Sequence, residues 1–329
     1  MEAAAHRPTW KVLLAFAIIY FVWGSTFLAI RVGVREVPPF LLAGIRFVAA
    51  GGALYGWMRL KGTPAPTGRE WRSAILLAVM IFVFDYGLLF WAEQRVPSGI
   101  AAVMMATIPV FMALSEILIM KTRRLTVRLA IASVLGVGGV VVLVNPSTSF
   151  GDSAVNPVGA IALLVGAVSW SIASAISRKL DLPSAKGMSS GAQMLAGGVL
   201  LTITAGLLGE FRGFHVERVS AKAWVCLAYL IIAGSIVGFT AYVWLIHHES
   251  PTKVGTYAYV NPVVAVLVGY LFGGEAIGVR TIAGTVLVLV GIVVITMTPS
   301  RKARAELKSG RAPAEMAELP TRTSLETDN

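Results

Sequence analysis

Charged residues and cysteine are both scarce in this chain. Only 14% of its 329 residues are Asp, Glu, Lys or Arg, whereas 56% are apolar, and the mean hydropathy is +0.76. Soluble globular domains carry about 25% charged residues, so this composition argues against that class. The single cysteine, Cys226, excludes an internal disulfide and a cysteine metal cluster. The lipid bilayer is therefore the expected solvent.

Motifs of soluble chemistry are also absent. The sequence contains no GxxxxGK[ST] phosphate loop, no HExxH zinc helix and no nucleophile elbow. His247 and His248 are neighbours, but no further His or Cys is placed to complete a metal site with them. We predict neither a catalytic residue set nor a cofactor nor a bound metal, so any energy for work must come from a gradient or a partner.

Long apolar runs are what the sequence has instead. A run of about 17 to 23 residues spans the roughly 30 Å hydrocarbon layer at 1.5 Å per residue. Ten such runs occur, at 11–30, 40–58, 73–92, 99–119, 128–144, 157–177, 188–208, 222–246, 254–273 and 281–298. The predicted fold class is an all-α membrane protein with ten transmembrane helices.

The first half of the chain is repeated in the second half. An offset of 147 residues aligns Trp23 with Trp170 and Arg46 with Gln193, and an offset of 153 aligns Pro109 with Pro262. Each copy holds five helices, an odd number, so the second copy must be inverted in the membrane. Inverted repeats of this kind build a central site whose two halves can rock around it.

The predicted organisation follows from the repeat and from the polar segments. The first repeat is 11–144 with helices 1–5, and the second is 157–298 with helices 6–10. The small, polar segment Asn145–Asn156 links them, and residues 299–329 have the composition of a disordered tail.

Lys and Arg residues are distributed unequally between the loops on the two sides of the membrane. Of the 28 Lys and Arg residues, 20 fall on the side of the membrane that holds both termini and 7 on the other, with Arg46 inside a helix. The positive-inside rule therefore predicts that both termini are cytoplasmic. Because this bias accounts for the net charge of +11, nucleic acid is not predicted as a partner.

Arg46 and Asp85 lie within apolar runs and Glu93 lies at the outer end of the third run; these three charged residues are the candidates for coupling or for structural charge. A charge at a helix centre costs about 2.5 to 3.5 kcal/mol on insertion scales, so such residues are rare and often functional. Asp85 and Glu93 are eight residues apart, which places both carboxylates on one helical face about 12 Å apart. That face is expected to look inward.

Each of these charges has two interpretations. Asp85 is either a partner for a substrate ammonium or a proton, or one member of a structural ion pair with Arg46. Arg46 either binds a substrate carboxylate or serves structure by reaching backbone carbonyls of a neighbouring helix.

Two prolines mark symmetric positions. Tyr257 and Asn261 share a face at the start of span nine, and Pro262 follows, which frees the carbonyl of Ala258. In a membrane, a freed carbonyl persists only against protein, water or ligand. Pro109 and Pro262 are predicted gating positions; the alternative is a packing irregularity without substrate contact.

Aromatic residues point to the class of solute. Trp23 and Trp170 lie inside their helices at matching repeat positions, and Tyr86 follows Asp85; a cavity wall and core packing both remain open for the two indoles. An aromatic cavity favours amphipathic or aromatic organic solutes. Small residues four apart permit close helix contacts at Gly52/Gly56, Gly234/Gly238 and Gly269/Gly273.

Several stretches resemble the EamA-type members of the drug/metabolite transporter (DMT) superfamily, in its bacterial YedA-like branch. The matching stretches are Trp23–Phe27, Arg46-Phe47, Val96–Ala102, Thr256–Pro262 and Leu271–Glu275. The resemblance covers about residues 11 to 298 and implies ten helices from two inverted EamA repeats. It also implies a multi-pass protein of the inner membrane that moves amino acids, related metabolites or drugs, often outward.

The resemblance implies a central cavity lined by helices one, three, four, six, eight and nine. Trp23, Asp85, Trp170, Tyr257 and Asn261 would lie there. The first repeat departs from the pattern, because Thr122 stands where the second has Glu275. Unequal gates are therefore expected.

The function predicted from the sequence is export of small amphipathic metabolites by alternating access, with protons as the candidate coupling ion. The expected partners are a small-molecule substrate and the lipid bilayer. A passive facilitator of the same fold is the first alternative. A membrane-embedded enzyme or a lipid-handling protein is the remote one, since an enzyme needs a convergent acid, base or nucleophile set and a lipid handler needs a groove open to the bilayer.

Overall fold

The computed structural model describes residues 9–119, 126–144, 155–177, 179–249, 254 and 256–296. Thr122, the tail 299–329, residues 145–154 of the linker and the side chains of His247 and His248 lie outside the described residues.

Ten helices make up the described part of the chain, in which no strand occurs. Seven are uninterrupted or nearly so, and three contain a π-helical stretch. Their bounds are α1, Thr9–Ala17, Ile18–Val22 (π) and Trp23–Gly33; α2, Pro39–Leu60; α3, Gly68–Ala78, Val79–Gly87 (π) and Leu88–Glu93; α4, Ser98–Met105 and Ile108–Leu118; α5, Val127–Val144; α6, Pro157–Ser177; α7, Lys186–Leu207; α8, Ala221–Tyr229, Leu230–Val237 (π) and Gly238–His248; α9, Tyr257–Gly273; and α10, Val279–Thr296.

Length and composition make these helices membrane spans. Eight of them, α1 to α8, are long and apolar enough to cross a bilayer, and α9 and α10 are shorter apolar helices. The predicted class, an all-α membrane protein with ten transmembrane helices, is confirmed. The predicted spans differ from the helices chiefly at α4, which is broken near Thr107, and at α9, which begins at Tyr257.

The inverted relation of the two halves is visible where α2 meets α7. Close backbone approaches join four pairs of positions: Gly44 with Thr202, Val48 with Gly198, Gly51 with Leu195, and Tyr55 with Gly191. The chains run antiparallel there, since the partner number falls as the residue number rises. The 147-residue offset exchanges the first pair with the fourth and the second with the third, as a two-fold axis between α2 and α7 requires.

Other helix contacts come in matching pairs. Helix α1 packs on α9 as α6 packs on α4, α3 packs on α6 as α8 packs on α1, and α5 packs on α10. Small residues allow these approaches: a methyl group added to Gly139 of α5 would lie 2.8 Å from the carbonyl oxygen of Gly284 in α10. Each half therefore completes the packing of the other.

Helices α3 and α8, which correspond across the repeat, are both interrupted by π-helical stretches of similar length. A third stretch lies in α1, whereas its repeat counterpart α6 is regular throughout its described length. Single π-helical turns occur frequently at functional sites, because they re-aim the side chains around them. These interruptions mark where the site should be sought.

Glutamates from loops cap the starts of three helices in the opposite half. Glu36, before α2, accepts from the backbone of Ser220 (2.6 Å) at the start of α8. Glu210, after α7, accepts from Leu41 (2.8 Å) at the start of α2, and Glu275, after α9, accepts from Ser98 (2.7 Å) at the start of α4. Carboxylates are favoured at helix N-termini. We call this end of the bundle the Glu275 end and the opposite one the Lys61 end.

Candidate functional site

Arg46 lies inside α2 and is only 4% exposed. Its guanidinium stands over three aromatic rings, with the central carbon 4.7 Å from the centre of Phe47, 5.6 Å from Tyr86 and 5.9 Å from Phe90. Its Nε donates to the hydroxyl of Ser235 (3.0 Å), in the π-helical stretch of α8. Its Nη1 is buried without a hydrogen-bond partner in the part of the chain that the structure describes. There the charge is held by cation–π contacts and a hydrogen bond, and the Nη1 donor stays free.

Asp85 lies in the π-helical stretch of α3 and is 2% exposed. Its Oδ1 has no hydrogen-bond partner among the residues described, and it would lie 3.2 Å from a methyl group added to Gly166 of α6. The carboxyl group is therefore pressed between the two halves of the chain. No ion pair joins Asp85 to Arg46, both of which the structure describes, so the structural pairing considered from the sequence does not form.

Glu93 ends α3 and is 1% exposed, and neither of its carboxylate oxygens has a hydrogen-bond partner among the described residues. Asp85, Leu89 and Glu93 are all buried, as the shared helical face requires. Next to Glu93, Arg31 of α1 donates to the backbone oxygens of Glu93 (3.1 Å) and Val96 and pairs with Glu275 (Nε to Oε1, 3.2 Å). Arg31 and Glu275 thus tie both halves together near the Glu275 end.

The loop after α9 brings Glu275 into this contact. Gly274 closes α9 in the left-handed conformation, at φ 64°, and the chain folds back so that the Glu275 nitrogen donates to Gly269 (3.1 Å). The carboxylate of Glu275 then accepts hydrogen bonds from the backbone nitrogens of Ser98 and Gly99 and from the hydroxyl of Ser98. The conformation of one glycine therefore sets the position of the interhelical carboxylate.

Trp23 joins α1 to α8 and α9. Its indole nitrogen donates to the carbonyl of Gly234 (3.1 Å), and its ring lies 5.3 Å from both Tyr242 and Tyr257. A methyl group added to Gly238 would overlap the indole. The Gly234/Gly238 spacing therefore forms the groove that accepts this side chain. By contrast, no described atom lies within 4 Å of methyl groups added to Gly52 or Gly56. The prediction of a close helix contact at these two glycines is therefore wrong.

Asn261 and Pro262 lie near the start of α9, and Pro109 lies just after the break in α4. With its amide oriented to satisfy its neighbours, Asn261 donates to the carbonyls of Tyr20 (3.1 Å) and Ile19 (3.2 Å), in the π-helical stretch of α1. Pro262 lies inside an unbroken helix. Pro109 instead follows a break, at the second residue of the second segment of α4. The carbonyl before each proline faces the other helix of its pair: Asn261 O meets Gly24, and Ile108 O accepts from Ser171 (3.2 Å).

Gly234 connects two groups of candidate residues. The first consists of Trp23, Tyr242, Tyr257 and Asn261, on α1, α8 and α9; the second consists of Arg46, Asp85, Tyr86 and Trp170, on α2, α3 and α6. The carbonyl of Gly234 accepts from Trp23, while a methyl group on its Cα would lie 3.3 Å from the guanidinium of Arg46. In the second group, Tyr86 lies 6.0 Å from Trp170 and 4.7 Å from Phe47 between ring centres.

Three contributors were missed by the sequence reasoning. Ser235 holds Arg46, Tyr242 contacts both Trp23 and Tyr257, and Arg31 pairs with Glu275. A serine in the otherwise apolar run Leu230–Val237 was the available signal for the first. The pairing of Arg31 with Glu275 spans most of the chain and has no local signal.

The arrangement offers both signs of charge beside aromatic surface. Within the described residues, Nη1 of Arg46, Oδ1 of Asp85 and both carboxylate oxygens of Glu93 are buried without a hydrogen-bond partner. Such groups bind oppositely charged atoms of a solute, and the adjacent rings supply apolar contact. Among the described residues, no cluster of three or more His, Cys, Asp or Glu could hold a metal ion.

Comparisons with known proteins give matches over most of the chain. The model of the EamA-like transporter family matches twice, at residues 10–145 and 157–297. The Escherichia coli (strain K12) protein named as an uncharacterized inner membrane transporter, YedA, is 37% identical over 286 residues, covering 86% of this chain and 90% of its own. The uncharacterized transporter YoaV of Bacillus subtilis is 26% identical over 306 residues, covering 89% and 99%.

Two further similarities extend across kingdoms and to a solved structure. The Arabidopsis thaliana WAT1-related protein At3g02690, chloroplastic, is 28% identical over 291 residues, covering 87% of this chain and 69% of its own. A crystal structure of a protein 22% identical covers 91% of this chain and 99% of its own with a TM-score of 0.58, which shows a shared fold. With two family matches that together span most of its length, the chain belongs to the EamA-like transporter family.

Proposed function

We propose that the protein is a secondary transporter that exports amino acids or related small amphipathic metabolites by alternating access. The observation that carries this proposal is Asp85 of α3, which is 2% exposed, faces α6 at the junction of the two halves, and has one carboxyl oxygen without a partner among the described residues. A buried, unpaired carboxyl at membrane depth is costly and is typical of ion and substrate pathways.

The substrate class follows from the chemistry beside Asp85. A zwitterion would place its carboxylate at the free nitrogen of Arg46 and its ammonium at Asp85, with Tyr86 and Trp170 against its side chain. A neutral sugar would leave these buried charges uncompensated, which disfavours that class.

Coupling to protons rests on the same carboxyl group and on Glu93. Within the described residues, Oδ1 of Asp85 and both carboxylate oxygens of Glu93 have no hydrogen-bond partner, and neither group is in an ion pair. Each can therefore gain or lose a proton without disrupting an ion pair. Glu93 lies near the Glu275 end and Asp85 deeper in the same helix, which orders them as successive proton acceptors.

Gating rests on the interrupted helices. Each π-helical stretch or proline leaves backbone groups that can change partners at small cost, and these positions surround the site on α1, α3, α4, α8 and α9. Rocking of one half against the other would open the site alternately to the two sides. Arg31 and Glu275 would then separate whenever the Glu275 end opens.

Location and sidedness complete the proposal. The YedA relative is named an inner membrane transporter, and we place this protein in a bacterial inner membrane as well. The bias of Lys and Arg puts the Lys61 end and both termini in the cytoplasm and the Glu275 end outside.

The test is transport by the purified full-length protein in proteoliposomes, with a panel of labelled amino acids and an imposed pH gradient. Saturable counterflow that accumulates solute only with the gradient is the expected result. Saturable exchange that ignores the gradient would establish the facilitator instead. No movement of any zwitterion would overturn the proposed substrate class.

A further inference from the structure

A cleft of about 530 Å³ opens on the side of the bundle between α2, α7 and α8. Its walls come from the last turns of α2, including Ala53 and Trp57, from Gly187 at the start of α7, and from Ile236 and Phe239 of α8. The volume is within the roughly 300 to 1,000 Å³ of ordinary ligand sites. None of its lining residues belongs to either of the two groups of candidate residues that Gly234 connects.

The lining of the cleft suits hydrocarbon. Two lining side chains carry polar groups: Trp57 has its indole N–H, and Thr240 has a hydroxyl that donates to the carbonyl of Ile236 (2.7 Å). The other lining residues are apolar, so the cleft offers few groups to orient a polar solute. A flexible acyl chain needs none.

The mouth of the cleft is positively charged. The ammonium of Lys61 lies 4.9 Å from the centre of the Trp57 ring, which forms part of the wall. Lys186 begins α7, directly before Gly187 of the lining, and is exposed. Neither ammonium has a carboxylate partner among the residues that the structure describes. Basic pockets between membrane helices on the cytoplasmic side bind anionic lipid head groups.

We propose that this cleft is a binding site for one anionic phospholipid of the inner leaflet, with an acyl chain against Ala53 and Phe239 and the phosphate at Lys61 and Lys186. The placement in the inner leaflet rests on the sidedness given under the proposed function. Because Ile236 belongs to the same π-helical stretch as Gly234 and Ser235, a bound chain supports the segment that holds Trp23 and Arg46.

The experiment is native mass spectrometry of the full-length protein with phosphatidylglycerol or phosphatidylcholine of identical palmitoyl and oleoyl chains. We expect phosphatidylglycerol to be retained at least about ten-fold more than phosphatidylcholine, as two basic residues near the membrane surface predict. Lys61→Gln combined with Lys186→Gln should remove that preference. The matched control, Arg69→Gln with Arg72→Gln, removes two exposed charges near the start of α3 and should leave it intact.

A second pair of variants tests the acyl chain. Ala53→Phe fills the cleft and should lower retention of both lipids, whereas Ala283→Phe, at an exposed position of α10, should not. Equal retention of the two lipids by the unaltered protein, or an equal effect of variants and controls, would overturn the site. Since lipid retention is measured without transport, its failure leaves the transport proposal untouched.

Discussion

The two halves of the molecule share a backbone plan but divide the chemistry unequally. The first half supplies the buried charges of the candidate site, Arg46, Asp85 and Glu93, whereas Arg280, buried in the second half, lies near the start of α10 and outside the site. In the second half, Gln193 stands at the position that corresponds to Arg46, and its amide donates to Ser189 (3.0 Å), one turn earlier in its own helix. The backbone contacts between α2 and α7 therefore follow the two-fold relation, whereas the charged side chains of the candidate site do not.

The difference indicates how the halves cooperate. The second half offers neutral acceptors to groups of the first: Ser235 for Arg46 and the Gly234 carbonyl for Trp23. Under the proposed alternating access, backbone symmetry would supply two equivalent arrangements of the bundle, and a single polar site would serve both. A symmetric pair of charged sites would bury twice the charge at about 2.5 to 3.5 kcal/mol for each group.

The largest effect should come from neutralising Asp85, a buried charge that the first half supplies to the site. Asp85→Asn replaces the carboxyl group with an amide of the same shape, which cannot carry a proton, so gradient-driven accumulation should fall by at least about ten-fold while the protein remains folded. The measurement is accumulation in proteoliposomes under an imposed pH gradient. Asp181→Asn, in the exposed loop before α7, is the control; unaltered accumulation by Asp85→Asn would remove this residue from coupling.

The symmetric part of the comparison can be tested at the α2–α7 contact. A methyl group added at Gly51 or at its repeat counterpart Gly198 would come closer than 3.0 Å to backbone atoms of the facing helix. Both Gly51→Ala and Gly198→Ala should therefore lower the free energy of unfolding, each by about 1 to 3 kcal/mol. Thermal unfolding in detergent is the measurement.

Gly52 provides the matched control for that experiment. It neighbours Gly51, yet no described atom lies within 4 Å of an added methyl group. Gly52→Ala should leave stability unchanged or raise it by up to about 1 kcal/mol, because alanine is the better helix former. Equal losses at Gly51 and Gly52, or clearly different losses at Gly51 and Gly198, would contradict the two-fold contact.

The two prolines should differ in kinetic effect. Pro262 interrupts the hydrogen bonding of a continuous helix, whereas Pro109 occupies an early helical position where proline is tolerated. Pro262→Ala should reduce the turnover rate roughly three-fold or more with little change in substrate affinity, as expected of a gating position. Pro109→Ala should change both less. Transport rates and substrate affinity measured on the same preparation separate the two, and parallel losses of rate and affinity would count against gating.

The smallest effect distinguishes the paired tryptophans. Trp23 donates to Gly234, while the indole nitrogen of Trp170 has no hydrogen-bond partner within the described part of the chain. Trp23→Phe should therefore cost about 1 kcal/mol of unfolding free energy more than Trp170→Phe. Unfolding midpoints measured side by side would test this, and identical shifts would mean that the hydrogen bond contributes nothing.

The sequence predicted the parts of this fold that depend on composition along a single helix. Hydropathy located the helices, and charges within apolar runs singled out Arg46, Asp85 and Glu93. It could not predict the π-helical stretches, because a shift from i+4 to i+5 hydrogen bonding leaves no compositional mark. Nor could it pair Arg31 with Glu275 or Ser235 with Arg46, since those contacts depend on how distant helices are arranged.

The crossed glutamate caps bear on what a single repeat would need. Glu36 of the first half covers a helix start in the second, and Glu210 and Glu275 of the second cover helix starts in the first. A chain of half this length would leave those backbone donors to water unless another copy were beside it. A protein of one repeat would therefore need a second, antiparallel copy to complete these caps.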